Sequence, residues 1–154
     1  MIPVIAPVHS DEDKQRLDNL FWEVLWKPLG FPRDVRGSFG TEGEKMEFAA
    51  FSGEKVIGGV AAFCPSPAIL ELRHIAVLPE CQGRGIGTGL VKVLIEAGAE
   101  RGSGRMLAVA RNTSARFFRK LGFNAAPVAA PENPDFSMHG IFFIVMEKHI
   151  GKAF

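Results

Sequence analysis

The chain contains no tyrosine, although 13 of its 154 residues are phenylalanine. Any step that needs a phenolic proton must find it elsewhere or proceed without it. Cysteine is scarce too. Cys64 and Cys81 form no C-x-x-C pair, zinc pattern or disulfide framework, which fits a reduced, cytoplasmic setting and offers no metal site. Charge of one sign is not in excess: 18 Lys and Arg stand against 17 Asp and Glu, for a net +1. Bulk electrostatics therefore recruit neither nucleic acid nor an acidic membrane. The longest apolar run, "GIFFIVM", is far too short to span a bilayer. The opening "MIPVIAPVHSDEDK" lacks both the basic region and the apolar stretch of a secretion signal.

What is present reads as one globular domain over residues 1–154, 47% hydrophobic and 23% charged. A chain of this length buries roughly two-thirds of its unfolded surface. Ile2–Val8 reads as a strand. Ser10 is a helix cap before Asp11, Glu12 and Asp13, and apolar residues at helical spacing carry that helix to Trp26. Pro28, Gly30 and Pro32 break it into a loop or short helix ending at Gly40. Met46–Phe51 and Lys55–Phe63 read as a hairpin, and Ile69–Val77 as the next strand. A helix starts near Gly87, with Leu90, Val93, Leu94 and Ala97 as its apolar stripe and Lys92, Glu96 and Glu100 on a wet face. Met106–Ala110 is a strand and Thr113–Leu121 a helix stopped by Gly122. Phe123–Val128 and Gly140–Met146 read as closing strands, with the Pro-rich "APVAAPENPDFSMH" as a long mobile loop. This order indicates an α/β sheet with helices on its faces.

The most unusual stretch is "CQGRGIGTGL", Cys81–Leu90, which places four glycines ahead of a helix. Glycine costs backbone entropy, so the cluster is either a tight turn or a surface of bare N–H groups against an anion at a helix N-terminus. A nucleotide P-loop is excluded because no lysine follows Gly87, and the dinucleotide fingerprint fails at Thr88 or Leu90. The stretch Gln82-Gly83-Arg84-Gly85-Ile86-Gly87 follows "LRHIAVLPE" and precedes an amphipathic helix. In that context it resembles the acyl-CoA motif of the GNAT superfamily of N-acyltransferases, Gln/Arg-x-x-Gly-x-Gly/Ala. A second stretch, "RNTSARFFRKLGF", is similar to the segment that follows the next strand in that family.

The resemblance implies a single-domain, mixed, mostly antiparallel sheet flanked by helices, and acetyl-CoA as co-substrate with a small amine as acceptor. A homodimer is left open. The resemblance also implies a CoA pyrophosphate on Gly83, Gly85, Ile86, Gly87 and Thr88, with the pantetheine arm along Ile75, Ala76 and Val77. Gly85 and Gly87 are expected to tolerate replacement least. Arg84 either adds a charge to the anion or solvates the loop. Asn112 is either a further contact or a helix cap. Family members commonly carry a Glu or His base early on the strand before the glycines, where Glu71 and His74 lie. Alternation puts Glu71 with Arg73, Ile75 and Val77 on one face and His74 with the leucines on the other. Glu71 is the favoured base, with a salt bridge to a neighbouring arginine as its other reading, and His74 the lesser candidate. The tyrosine that usually meets the departing thiolate is replaced by Phe118, which packs either on the pantetheine arm or in the core. Two functions follow: an N-acetyltransferase, or an acyl-CoA-binding domain without turnover. Trp22, Trp26, Phe31, Phe39 and the late loop with His139 are expected around the acceptor, the tryptophans also fitting the core of the first helix.

Overall fold

The computed structural model describes residues 2–39 and 43–151, so Gly40, the end of the first expected loop, lies outside the described residues. Val4–Pro7 forms β1, shorter at both ends than expected. Ser10 caps α1 (Asp11–Phe21), its hydroxyl accepting from the Asp13 N–H at 3.1 Å. The acidic first turn sits at the positive end of the helix dipole. The helical path reaches Trp26 as expected, but widens over Trp22–Trp26 into a π turn closed by Lys27 N–H to Trp22 O. Two short 3₁₀ turns follow, Lys27–Leu29 and Val35–Phe39.

The hairpin is β2 (Glu44–Ser52) with β3 (Lys55–Ser66), and β4 spans Ile69–Val77 as read. Then come α2 (Ile86–Glu100), β5 (Arg105–Arg111) and α3 (Ala115–Lys120). The chain closes with β6 (Asn124–Ala125), α4 (Pro134–Ser137) and β7 (Phe143–His149). The seven strands among the described residues form one sheet in the order β1-β2-β3-β4-β5-β7-β6. Only β4 and β5 run parallel; every other neighbouring pair is antiparallel.

Three local expectations are corrected by non-local contacts. The Phe123–Val128 strand shrinks to two residues because Phe123 N–H turns back to Phe118 O at the end of α3 and Pro127 has no N–H for the ladder. The last strand begins at Phe143 rather than Gly140, since Gly140 is left-handed (φ 74°) and Arg111 pairs with Phe143. The expected loop contains α4. The Asn133 side chain accepts from Asp135 N–H at 3.0 Å, Pro134 opens the turn, and Phe136 is buried among other rings.

The core has two layers. Leu70, Leu72 and Met106 face Leu90, Val91 and Leu94 of α2 and Phe118 of α3. The buried stripe of α2 is thus Ile86, Leu90, Val91, Leu94 and Gly98, rotated slightly from the one expected. On the other face, Ala49, Ala61 and Ala76 meet Leu17, Leu20 and Phe21 of α1, with Trp26 and Phe136. Gly59 lets α1 approach the sheet: a Cβ there would lie 2.1 Å from Leu17 Cδ1.

Candidate active site

The site is created by a break in the sheet. β4 and β5 pair from Ile69–Arg105 to Leu72–Ala108 and no further, although both strands continue. Past that point Arg73–Val77 keeps β3 as its neighbour but has no paired residue on the β5 side. A cavity of about 270 Å³ occupies the split, bordered by Arg73, His74 and Ile75 from β4 and by Val109, Ala110 and Arg111 from β5. Trp26, Phe39, Phe136 and Phe118 close it.

A β-bulge on β4 decides which side chains share this space. Ala62 pairs with Leu72 but Ala61 pairs with His74, so Arg73 is the extra residue. The expected alternation therefore fails. Leu70 and Leu72 face α2 and α3, whereas His74 and Ala76 face α1. Ile75 and Val77 pack on the α2 side. Glu71 pairs with Phe63, two residues from His74's partner Ala61, and so lies on the His74 face. The two candidate bases are on one face, not opposite faces.

At the other end of β4 the glycine stretch forms a tight, open turn. Gln82 Nε2 donates to Val77 O at 3.0 Å, fastening the turn to the strand end. Gly83 and Gly85 are both left-handed, with φ of 80° and 79°, and Gly85 caps α2. No side chain caps this helix, and its first bond runs from Gly89 N–H to Gly85 O at 3.0 Å. The N–H groups of Ile86, Gly87 and Thr88 precede that bond and point outward at the positive helix end. A Cβ on Gly83 or Gly85 would meet nothing within 4 Å, whereas one on Gly87 would touch Phe117 at 3.4 Å. Arg84 is exposed.

The model of the acetyltransferase (GNAT) family matches residues 12–123. The chain belongs to that family. A curated relative, GCN5-related N-acetyltransferase 2 of Arabidopsis thaliana chloroplasts, is 32% identical over 94 residues, 61% of this chain and 34% of that protein. The chain thus matches about a third of that relative's length. Among solved structures, an aminoglycoside 6'-N-acetyltransferase complexed with coenzyme A is similar at TM-score 0.77 and 18% identity, covering 97% of this chain and 98% of the other. A ribosomal-protein alanine N-acetyltransferase of Escherichia coli is similar at TM-score 0.77 and 20% identity, over 99% and 97%. At these identities the likeness is one of fold.

In this GNAT protein Glu71 is half-buried, with Arg73 Nη1 3.8 Å from Oε2. Burial pushes its carboxyl up from the usual value, and the nearby arginine pulls it partly back. Glu71 stands on the cavity's face but is not among the residues lining it. His74 does line it, buried against Trp26, Phe21 and Phe39 at ring distances of 5.1, 5.7 and 5.8 Å. Burial, then Arg36, Arg73, Arg111 and Lys45, lower its pKa to about 3. The ring is neutral at ordinary pH.

Asn112 caps no helix through its side chain. Its Oδ1 accepts from Phe142 N–H at 2.9 Å and its Nδ2 donates to Gly140 O at 3.3 Å, fastening the entry of β7 to the end of β5. Phe118 is 1% exposed, edge-on to Phe117 and Phe123, so it is core and cavity wall at once. Trp26 is also both, whereas Trp22 is held by Nε1 to Phe31 O at 3.1 Å and His139 is exposed outside the cavity lining. Arg111 was not legible as a site residue. Period-2 alternation opposes it to the buried Ala108 and Ala110, but only the fold brings Leu25 and Phe136 against it.

Proposed function

We propose that this protein is an acetyl-CoA-dependent N-acetyltransferase that acetylates a primary amine of a small molecule, or an exposed amino group, by direct attack. One observation carries the reading: β4, whose edge past Leu72 has no partner on the β5 side, lines the cavity and leads directly into an uncapped helix N-terminus. That conjunction fits a ligand with a diphosphate at one end and an extended amide arm at the other. The turn Gly83–Thr88, with Arg84 beside it, would hold the diphosphate, and Gln82 keeps the turn in place. The main chain of Ile75, Ala76 and Val77, free of β5, would take the arm as an added strand. Asn112 and Phe118 stand on the far side of the split. Acetyl-CoA supplies its acyl group as a thioester when bound. The two free thiols, Cys64 and Cys81, accord with a cytoplasmic location.

An alkylamine has a pKa of about 10, so its proton must be removed for attack at neutral pH. Glu71 is the base in this reading, acting through water. Its partial burial raises its proton affinity, which suits a base, while Arg73 keeps the carboxylate form populated. His74, neutral down to about pH 3, binds a proton too weakly to compete and serves as a fixed polar wall. No phenol protonates the leaving thiolate, and with a thiol pKa of about 8.5 water suffices for that step.

Glu71→Gln is expected to keep CoA affinity while lowering kcat/KM about 100-fold, with a flattened acidic limb of the pH–rate profile. Near-normal activity and an unaltered profile would remove Glu71 from the role. A second reading, an acyl-CoA-binding domain without turnover, is favoured by the missing tyrosine. CoA binding with no acetylation across a broad amine panel would establish it. The fold does not choose the acceptor, since the solved relatives are named for an aminoglycoside and for a protein alanine.

A further inference from the structure

Within the acetyltransferase reading, on which this rests, we infer that the acceptor carries a carboxylate beside its amine and an apolar body: a free α-amino acid with an apolar side chain. The central observation is Arg111, at the point where β5 leaves β4. Its guanidinium is half-buried and lines the cavity, with Nη2 donating to Leu25 O at 2.8 Å and its plane over the Phe136 ring at 5.5 Å. Among the described residues no carboxylate forms an ion pair with it, while Arg16, Arg33, Arg36, Arg73, Arg101 and Arg105 each have at least one. A guanidinium has five donors, so several remain for an anion in the cavity. Desolvation lowers the Arg111 pKa, the cost of keeping that charge partly dry without a counter-charge.

The surroundings agree. Arg36, Arg73, Arg111 and Lys45 all disfavour a charge on His74. Since Arg36 is paired with Glu47 and Arg73 with Glu71, Arg111 is, among the described residues, the uncompensated cation that lines the cavity and sets a positive field there. Of the carboxylates among the described residues, Glu71 faces Arg73 and Glu132, the one of them lining the cavity, is exposed. A polycation such as spermidine or kanamycin would meet repulsion here. A carboxylate on Arg111 would meet attraction, and the same field would ease proton loss from the neighbouring ammonium. Trp26, Phe39, Phe136 and Phe143 give the body of the acceptor an apolar wall. The cavity of about 270 Å³ lies just below the roughly 300–1,000 Å³ of sites for drug-sized ligands, and the acyl arm shares it. The acceptor is small.

The test uses L-phenylalanine, L-phenylalaninamide, spermidine and kanamycin as acceptors, with CoA affinity measured separately. The wild type is expected to favour the acid over the amide and both polycations by at least about tenfold in kcat/KM, a modest value for a charge-assisted contact. In Arg111→Gln the acid and amide should fall within about twofold of each other, with Arg111→Lys between. Calorimetry with CoA present should show N-acetyl-L-phenylalanine binding at least about tenfold tighter than its amide, a comparison that needs no variant to fold. Equal or inverted preference in the wild type, or no binding of either N-acetyl compound, overturns the inference. If CoA still binds and the amide or a polycation is acetylated as well as the acid or better, the acetyltransferase reading stands while this one falls. Failure to bind CoA removes both.

Discussion

Gly85 and Gly87 fall within the same six-residue stretch, yet their replacement by alanine should have opposite consequences. Both are expected from the sequence to tolerate replacement least, but the structure supports this for Gly85 alone. Gly85 sits at φ 79°, where an L side chain costs about 1–2 kcal/mol, although its Cβ would meet no atom within 4 Å. In a domain of this size each kcal/mol moves the melting temperature by about 2–4 °C, so Gly85→Ala should lower that of the free protein by about 2–8 °C. Gly87 lies inside the first turn of α2 with ordinary backbone angles, and its Cβ would rest on Phe117 at 3.4 Å, an ordinary contact. Alanine there gains up to about 1 kcal/mol of helix propensity, giving an unchanged or slightly raised melting temperature. CoA at about 100 times its Kd should stabilise the wild type by about 2.7 kcal/mol, or roughly 5–11 °C. That shift should vanish in Gly85→Glu, which puts bulk and negative charge into the open face of the turn, and should survive in Gly87→Ala. Scanning calorimetry with and without CoA reads all three variants. An unaltered CoA shift in Gly85→Glu would take the turn out of the cofactor site. A free Gly85→Ala protein as stable as wild type would refute the strain argument.

Other outcomes follow from buried groups. Because His74 is neutral in the fold down to about pH 3 but binds a proton near 6.5 when unfolded, stability should fall as pH drops below about 6.5, by up to about 1.4 kcal/mol per pH unit. Urea melts of His74→Leu should lack that slope, and parallel slopes would show that other groups carry it. For Phe118→Tyr, kcat should rise by less than about tenfold, since a thiolate of pKa about 8.5 gains little from an acid at neutral pH. At 1% exposure the new hydroxyl should also cost about 1–3 kcal/mol if it finds no partner, read as a lower melting temperature. A hundredfold rise in kcat would mean that the absent phenol limits the native protein. Gly59→Ala should destabilise by about 1–3 kcal/mol, because its Cβ would overlap the buried Leu17 side chain unless that side chain or α1 shifts. A wild-type melting temperature there would show that Leu17 or α1 adjusts freely.

The features legible in the sequence are those set by neighbours along the chain. The Ser10 cap and acidic first turn placed α1, β-branched and apolar alternation bounded β4 at Ile69–Val77, and the glycines before an amphipathic run marked the open start of α2. Each depends on backbone angles and periodicities that a short segment carries by itself. Tertiary structure decided the site. Nothing in "ELRHIAV" marks Arg73 as a bulged residue; that register is fixed only when β3 pairs across it, and it turned His74 from the leucines to the aromatic face beside Glu71. The split between β4 and β5 likewise arises from pairing that stops at Leu72 and Ala108, which no local pattern announces. Phe136 drew a proline-rich segment into the core, and the π turn at Trp22–Trp26 brought Leu25 O to Arg111, 86 residues away in sequence. Local physics fixed which elements form, while packing across long separations fixed which side chains meet, and the chemistry belongs to the meeting.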